Sequence, residues 1–255
     1  MRNFKSWFMK SVVVMAVASL AGMILACSNM KVPPAEEYFS GKQLELAQAI
    51  SDVRVRDVER LAKNTDINKP GAKEMTLLMY ALQTSANNKK DSLDIVTLLV
   101  KAGADPVQQI PDFGSAAGVV ARSDNPAFMK ALLAGGMSPN VINNYQPIIF
   151  NAASEHSFAV LKLLVDSGAD INAQDSAGKT AIINALAGME LDQVVYLLEK
   201  GADPTLKTVP GWQFSHMLDD IIKRESDSNA TTKDKLNEIK ELAIKNGMKW
   251  PPVAR

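Results

Sequence analysis

The sequence predicts an all-α solenoid of about five to six helix–turn–helix repeats with short β-hairpin loops, and three observations carry that prediction. The phrase Gly103-Ala104-Asp105-Pro106 returns as Gly168-Ala169-Asp170-Ile171 and Gly201-Ala202-Asp203-Pro204, with a degenerate copy at Gly136-Met137-Ser138-Pro139. Successive glycines of these phrases stand 33, 32 and 33 residues apart. Before each glycine runs an apolar stripe of helical period. A fixed spacing of that size means one supersecondary unit repeated along the chain, each copy burying its face against the next.

The elements follow in chain order. A worn first unit has Leu44, Ala47, Val58 and Leu61, then Asp66-Ile67-Asn68. The next opens with a short helix at Thr76–Leu82, where Thr76 can cap the first free amides. Its longer partner is the Ile95–Val100 stripe, with apolar residues at i, i+3 and i+4 on one face. Glycine follows because a left-handed cap tolerates no Cβ cheaply. The stripe recurs at Phe128–Leu133, Val160–Val165 and Val194–Leu198. The short helix recurs at Pro147–Ala153, with proline in the first turn, and at Thr180–Leu186. Its alanines let paired helices approach closely. A last worn unit has Gly211-Trp212, His216, Ile239, Leu242 and Gly247. Two segments break the period: Asn87 to Asp91 lengthens one helix–helix turn, and Glu225 to Asp234 adds a polar stretch to the last unit.

These residues closely resemble the ankyrin repeat, whose pattern is a turn with Asp and Gly, then Thr-Pro-Leu, alanines, Leu-Leu and Gly-Ala-Asp. The run from Asp175-Ser176-Ala177-Gly178-Lys179-Thr180 to Asp203 matches best, departing at Ala181, where the family favours proline, and at Ile183, where it favours histidine. The resemblance spans residues 42–248. It implies a scaffold in which Gly, Ala, Asp and Leu-Leu close turns and fill the core between repeats, with no catalytic role.

The amino terminus reads as an address. Arg2, Lys5 and Lys10 precede an uncharged apolar run from Ser11 to Ala26, the build of an export signal over residues 1–26. Ile24-Leu25-Ala26-Cys27 resembles a bacterial lipobox, which implies cleavage before Cys27 and acylation of that residue, hence a palmitate-type membrane anchor. An ordinary signal peptide or an uncleaved anchor is the alternative. Ser28 resembles the sorting context for the outer membrane. Cys27 is the sole cysteine, so the chain can form no internal disulfide. Residues 27–41 read as the lipidated cysteine and a tether, spanning on the order of 40 Å from Ser28 to Ser40 at ~3.3 Å per residue when extended. Residues 249–255 form a short tail.

Charge excludes one class of partner. The precursor has 28 basic and 28 acidic residues; removal of the signal leaves 25 against 28, a net of −3. Nucleic-acid binders instead present a clustered basic face. His156 and His216, the only histidines, show no metal-ligand spacing, and there is no Gly-x-Ser-x-Gly elbow, phosphate loop or dinucleotide fingerprint. No metal, cofactor, small-molecule substrate or enzymatic activity is expected.

The resemblance places a binding strip on the loop tips and on the residues after the alanines. Carried over, it names Phe113, Ser115, Asn143, Tyr145, Ser154, Ser176, Lys179 and Trp212, with Lys73, Met75, Gln83, Thr84, Asp112, Ala177, Ala187 and Gly188 beside them. Phe113, Tyr145 and Trp212 stand out because aromatic residues anchor interfaces. Fold and address together resemble the immunity lipoproteins that neutralise effectors delivered to the periplasm by type VI secretion, with a phospholipase toxin as expected partner. The alternative is a periplasmic scaffold assisting an envelope enzyme or stress-defence protein.

Overall fold

The computed structural model describes residues 32–85, 90–154, 157–209 and 211–252. The expected signal peptide, Cys27 and His156 lie outside the described residues. The described chain contains twelve α-helices in six consecutive pairs: α1 (Gly41–Ser51) and α2 (Val55–Ala62), α3 (Leu77–Thr84) and α4 (Lys90–Lys101), α5 (Ala116–Ala121) and α6 (Pro126–Ala134), α7 (Ile148–Ala152) and α8 (Phe158–Asp166), α9 (Ala181–Ala187) and α10 (Leu191–Glu199), α11 (Phe214–Arg224) and α12 (Ala230–Lys245). Two two-residue strands, β1 (Ile142–Asn143) and β2 (Gln146–Pro147), pair antiparallel. Single bridges Ile110–Gly114, Gln174–Thr180 and Lys207–Gln213 close three further hairpins.

The helix pairs belong to two compact units, one comprising residues up to 119 with 131–136, the other 120–130 with residues from 137 onward. In the first unit the foreseen Ala47, Val58, Leu77, Leu78, Ile95 and Leu99 are buried, whereas Leu44 and Leu61 are half-buried and Leu46 and Ile50, not foreseen, fill the core of α1 instead. Thr76 caps α3 as expected, its hydroxyl accepting from the Met79 amide at 3.1 Å. Asn68 ties one turn to the next, donating to the Gly103 carbonyl at 2.8 Å and accepting from the Asp105 amide at 2.8 Å.

One expectation needs shortening here. The segment read as tether is docked from Ala35 onward: Ala35 and Phe39 are buried, Phe39 meets the Tyr80 ring edge-on at 5.5 Å, and the Tyr38 carbonyl accepts from the Ala72 amide at 2.7 Å. The rings at 38 and 39 cover the first helix pair, and the Tyr80 hydroxyl donates to the Pro33 carbonyl at 3.5 Å, so this stretch packs on the helices instead of extending away from them.

The second unit repeats the asparagine tie. Asn140 donates to the Gly168 carbonyl at 3.1 Å and accepts from the Asp170 amide at 2.7 Å, and Asn172 accepts from the Asp203 amide at 2.8 Å. Asn184 on α9 donates back to Phe150 and Ala153 carbonyls of the preceding repeat at 3.1 and 3.0 Å. These bonds satisfy loop carbonyls that strands or helices leave open. Gly168 and Gly201 sit at φ +91° and +92°, the left-handed caps inferred from the repeated phrase. Leu161, Leu164, Leu186, Leu197 and Leu218 fill the core.

Two further details differ from the sequence reading. Thr180 does not cap α9; its buried hydroxyl has no hydrogen-bond partner among the described residues. The polar stretch 225–234 is not one loop. Residues 225–229 turn, and 230–234 begin α12, a 16-residue helix whose Asn229 cap accepts from the Thr232 amide at 2.9 Å. In the other period-breaking segment, Lys90 and Asp91 already form the first turn of α4.

Candidate partner-binding surface

Each hairpin tip is set by residues that accept positive φ. At β1–β2 the two loop residues are Asn144 and Tyr145, at φ +47° and +64°. A two-residue turn of this kind matches the twist of its strands when both residues are left-handed, and its second position ordinarily holds glycine. The corresponding hairpins place Gly178 at +74° and Gly211 at +85°. Tyr145 therefore occupies a glycine position, and its side chain gains no cover in return, being 87% exposed.

The next two hairpins are locked together. A Cβ on Gly178 would lie 2.8 Å from the Lys207 carbonyl oxygen, closer than an alanine could sit. Gln174 Nε2 donates to that same carbonyl at 3.1 Å, and the Val209 amide donates to the Ala177 carbonyl at 2.8 Å. Asp175 is consumed by its own turn, accepting from the amides of Ala177 and Lys179 at 2.9 Å each. Between the two hairpins opens an apolar socket of about 260 Å³, lined by Ala177, Lys179, Ile183, Thr208, Trp212, Gln213 and Met217. Trp212 is 43% exposed and Val209, on the adjoining tip, 76% exposed. The Trp212 backbone is held by Thr208, whose hydroxyl accepts from the Trp212 amide at 3.0 Å.

The residues foreseen as contacts divide by environment. Tyr145, Ser176, Lys179 and Trp212 are exposed in the second unit; Phe113, 39% exposed, is on the Ile110–Gly114 hairpin of the first. Ser115 is 1% exposed and caps α5, accepting from the Gly118 amide at 3.0 Å. Asn143 is 5% exposed and donates to Asn151 Oδ1 at 3.1 Å. Ser154 is half-buried and donates to the Asn151 carbonyl at 2.8 Å. Ser115 and Asn143 thus turn inward, Ser115 to a backbone amide of the helix it caps and Asn143 to the Asn151 side chain. Met75, named beside them, is likewise buried.

Sequence reasoning missed Ile183, Met217 and Val209. Ile183 stands where the resembled family has histidine, and Val209 is an apolar letter inside a turn phrase; both mismatches were the available signal. It also missed Arg122, at the end of α5. Its guanidinium is half-buried, makes no hydrogen bond or ion pair among the described residues, and has its pKa pushed down by burial. His216 is structural, its Nδ1 accepting from the Gln213 amide at 3.4 Å at the start of α11. In the first unit a cleft of about 510 Å³ is bordered by Glu36, Asp52 and Tyr80. Its Glu36 carboxylate is held below the usual range by a hydrogen bond from Gln48, at 2.6 Å, and Asp52 pairs with Arg54 at 3.3 Å. Among the described residues no three His, Cys, Asp or Glu side chains form a metal-binding group, and no helix is long and apolar enough to cross a membrane.

Residues 118–208 match the family model of ankyrin repeats in three copies. Residues 118–208 thus carry ankyrin repeats, and the architecture is the ankyrin-repeat solenoid. The E3 ubiquitin-protein ligase KEG of Arabidopsis thaliana is 28% identical over 131 residues, which is 51% of this chain and 8% of that protein. The chain spans less than a third of the length of the curated relatives it matches, at 8%, 14% and 29%. Among solved structures, the ankyrin repeat domain of Bcl-3 is similar at a TM-score of 0.60, with 20% identity, 80% of this chain and 86% of that one covered. A chain from the complex of a Bdellovibrio bacteriovorus predatory endopeptidase with an immunity protein is similar at 0.50, with 21% identity, 76% of this chain and 97% of that one covered. At such identities the likeness establishes the fold.

Proposed function

We propose that this chain is a lipid-anchored, periplasm-facing ankyrin protein that binds a cognate toxin effector, a phospholipase delivered by type VI secretion, and neutralises it as its immunity protein. The observation that carries the binding half is Tyr145, an aromatic residue held left-handed at a glycine position and left in solvent. Backbone strain of that kind persists where function uses it. In the same unit, the Trp212 socket offers a second apolar contact. Neutralisation by cover needs no catalysis, only a surface that occludes the toxin's own site. The same fold occurs in a complex that contains an immunity protein, which supports the architecture for this use.

The address rests on the basic amino terminus, the apolar run and Cys27. Several acyl chains on one cysteine would hold the protein at the membrane far better than one. Such an anchor raises the blocker's effective concentration where a lipase must act. Outer-membrane placement follows from Ser28 on the same reading. Cys27→Ser should move the protein from the membrane fraction to the soluble one; unchanged membrane retention removes the anchor.

The immunity half is tested by deletion. Cells lacking the protein should be killed by sister cells that carry an active secretion system, and re-expression should restore survival. Survival equal to that of the parent strain sinks the toxin reading, whatever else the chain binds.

A further inference from the structure

We infer that the socket between the 174–180 and 207–213 hairpins is the anchor site for a partner-protein segment that carries an aliphatic or aromatic side chain with a carboxylate one or two residues away. The inference rests on the proposal that the chain acts by binding a protein, and it names where and what. The socket, about 260 Å³, lies below the size of pockets that enclose whole small ligands, roughly 300–1,000 Å³. It suits one inserted side chain. Its walls are Ile183, Met217 and the Trp212 ring. Aromatic walls of this type are where interface energy concentrates.

Charge chooses the neighbour of that side chain. Lys179 is the one charged residue in the lining, and it is exposed, as is Lys207 on the facing hairpin. Neither makes a side-chain hydrogen bond or ion pair among the described residues. The nearest acid along the chain, Asp175, is bonded to amides of its own turn. A segment with a carboxylate beside its apolar residue would meet an unpaired ammonium at the rim, whereas a basic segment would be repelled. The site is also built before the partner arrives. The contact at Gly178 and the Val209–Ala177 hydrogen bond hold the two hairpins together, so little ordering is left to binding.

The test pans displayed random heptapeptides against the full chain in detergent micelles. Wild-type protein should enrich peptides with a Leu, Ile, Met, Phe or Trp within two residues of Asp or Glu. A synthetic copy of the consensus should bind Lys179→Glu and Trp212→Ala at least about tenfold more weakly. Panning against Lys179→Glu should return the same apolar residue beside Lys or Arg. Because Lys179 is exposed, that variant keeps its fold, and the reversal cannot come from unfolding. Failure to enrich any peptide, a consensus without an acid, or indifference to the charge reversal overturns the inference. The immunity reading is decided separately: a matching consensus alongside unchanged survival of deletion cells leaves the socket and removes the toxin, and sensitised cells without a consensus do the opposite.

Discussion

Replacing Tyr145 separates what the fold needs from what binding needs. A non-glycine residue at φ +64° carries about 1–2 kcal/mol of left-handed strain, which glycine relieves. Glycine gives back roughly 0.4–1 kcal/mol through the larger entropy of its unfolded chain. The ring contributes little against this, since only the remaining 13% of the residue (100 − 87) is covered. On about 200 Å² for a tyrosine that is ~26 Å², part of it backbone, or at most about 0.6 kcal/mol at 25 cal/mol/Å². Tyr145→Gly should therefore change stability by between about −0.6 and +1.6 kcal/mol, centred on a small gain. Tyr145→Ala, which loses the ring but keeps the strain, should be less stable than the glycine variant by about 0.5–1 kcal/mol. Urea unfolding followed by circular dichroism orders the three proteins. Both variants should lose about 2 kcal/mol of partner affinity, or about 30-fold in Kd, measured by calorimetry against the protein that co-purifies with the wild type. A glycine variant that loses more than about 2 kcal/mol of stability would show that the ring packs as core does. Undiminished affinity in both variants would remove Tyr145 from the contact surface.

Three other outcomes follow from the same geometry. Leu164→Ala and Leu198→Ala open cavities in the buried face of the second unit and should each cost about 2–5 kcal/mol in urea unfolding while the far-ultraviolet spectrum keeps its helical shape. Tyr196→Phe should stabilise by about 0.5–1 kcal/mol in the same assay, because the buried Tyr196 hydroxyl has no hydrogen-bond partner among the described residues while its ring packs edge-on to Phe158 at 5.6 Å. Acid should weaken the fold in one direction only. Asp57 is held low by hydrogen bonds from Arg60 and Arg54, and Glu225 by those from Ser228 and Arg224. Their folded pKa values lie below their unfolded ones, so their contribution is whole above the ordinary carboxylate range and fades as pH falls through the folded values. The urea midpoint should be level from about pH 5 to 8 and decline below about pH 4; a decline beginning near neutrality would contradict this assignment.

The fold was legible because its signals are local and repeated. Helix stripes ending in glycine, at a constant spacing, leave one architecture, and Gly168 and Gly201 take the left-handed caps their phrases implied. The ends were harder to read. Residues 230–234 are polar and break the period, yet Asn229 and the long apolar face behind it, with Leu236 and Ile239 buried, make them the first turn of α12. Ala35 to Phe39 looked like tether because a proline-rich stretch reads as extended. Only the Tyr80 ring, more than forty residues away in sequence, explains why Phe39 is buried.

The binding surface was less legible, for a physical reason. Variable letters near a turn mark two opposite roles, since a side chain there either braces the local structure or stays at the surface. Ser115 and Asn143 turn inward to the Gly118 amide and the Asn151 side chain, whereas Tyr145 and Trp212 are exposed. The aromatic letters Phe113, Tyr145 and Trp212 all stay exposed, while the short polar ones divide, Ser176 exposed and Ser115 buried. The socket adds what no single position reveals: Ile183 and Met217 lie 34 residues apart in sequence (217 − 183), on the packed helices α9 and α11, and Gly178 lets the hairpin before one close on the hairpin before the other. A side chain at 178 would push the Lys207–Val209 segment away and open the socket. Gly178→Ala should therefore lower affinity for the apolar-acidic peptides while the sockets's lining residues are all retained, and wild-type affinity in that variant would show that the hairpin contact does not shape the site.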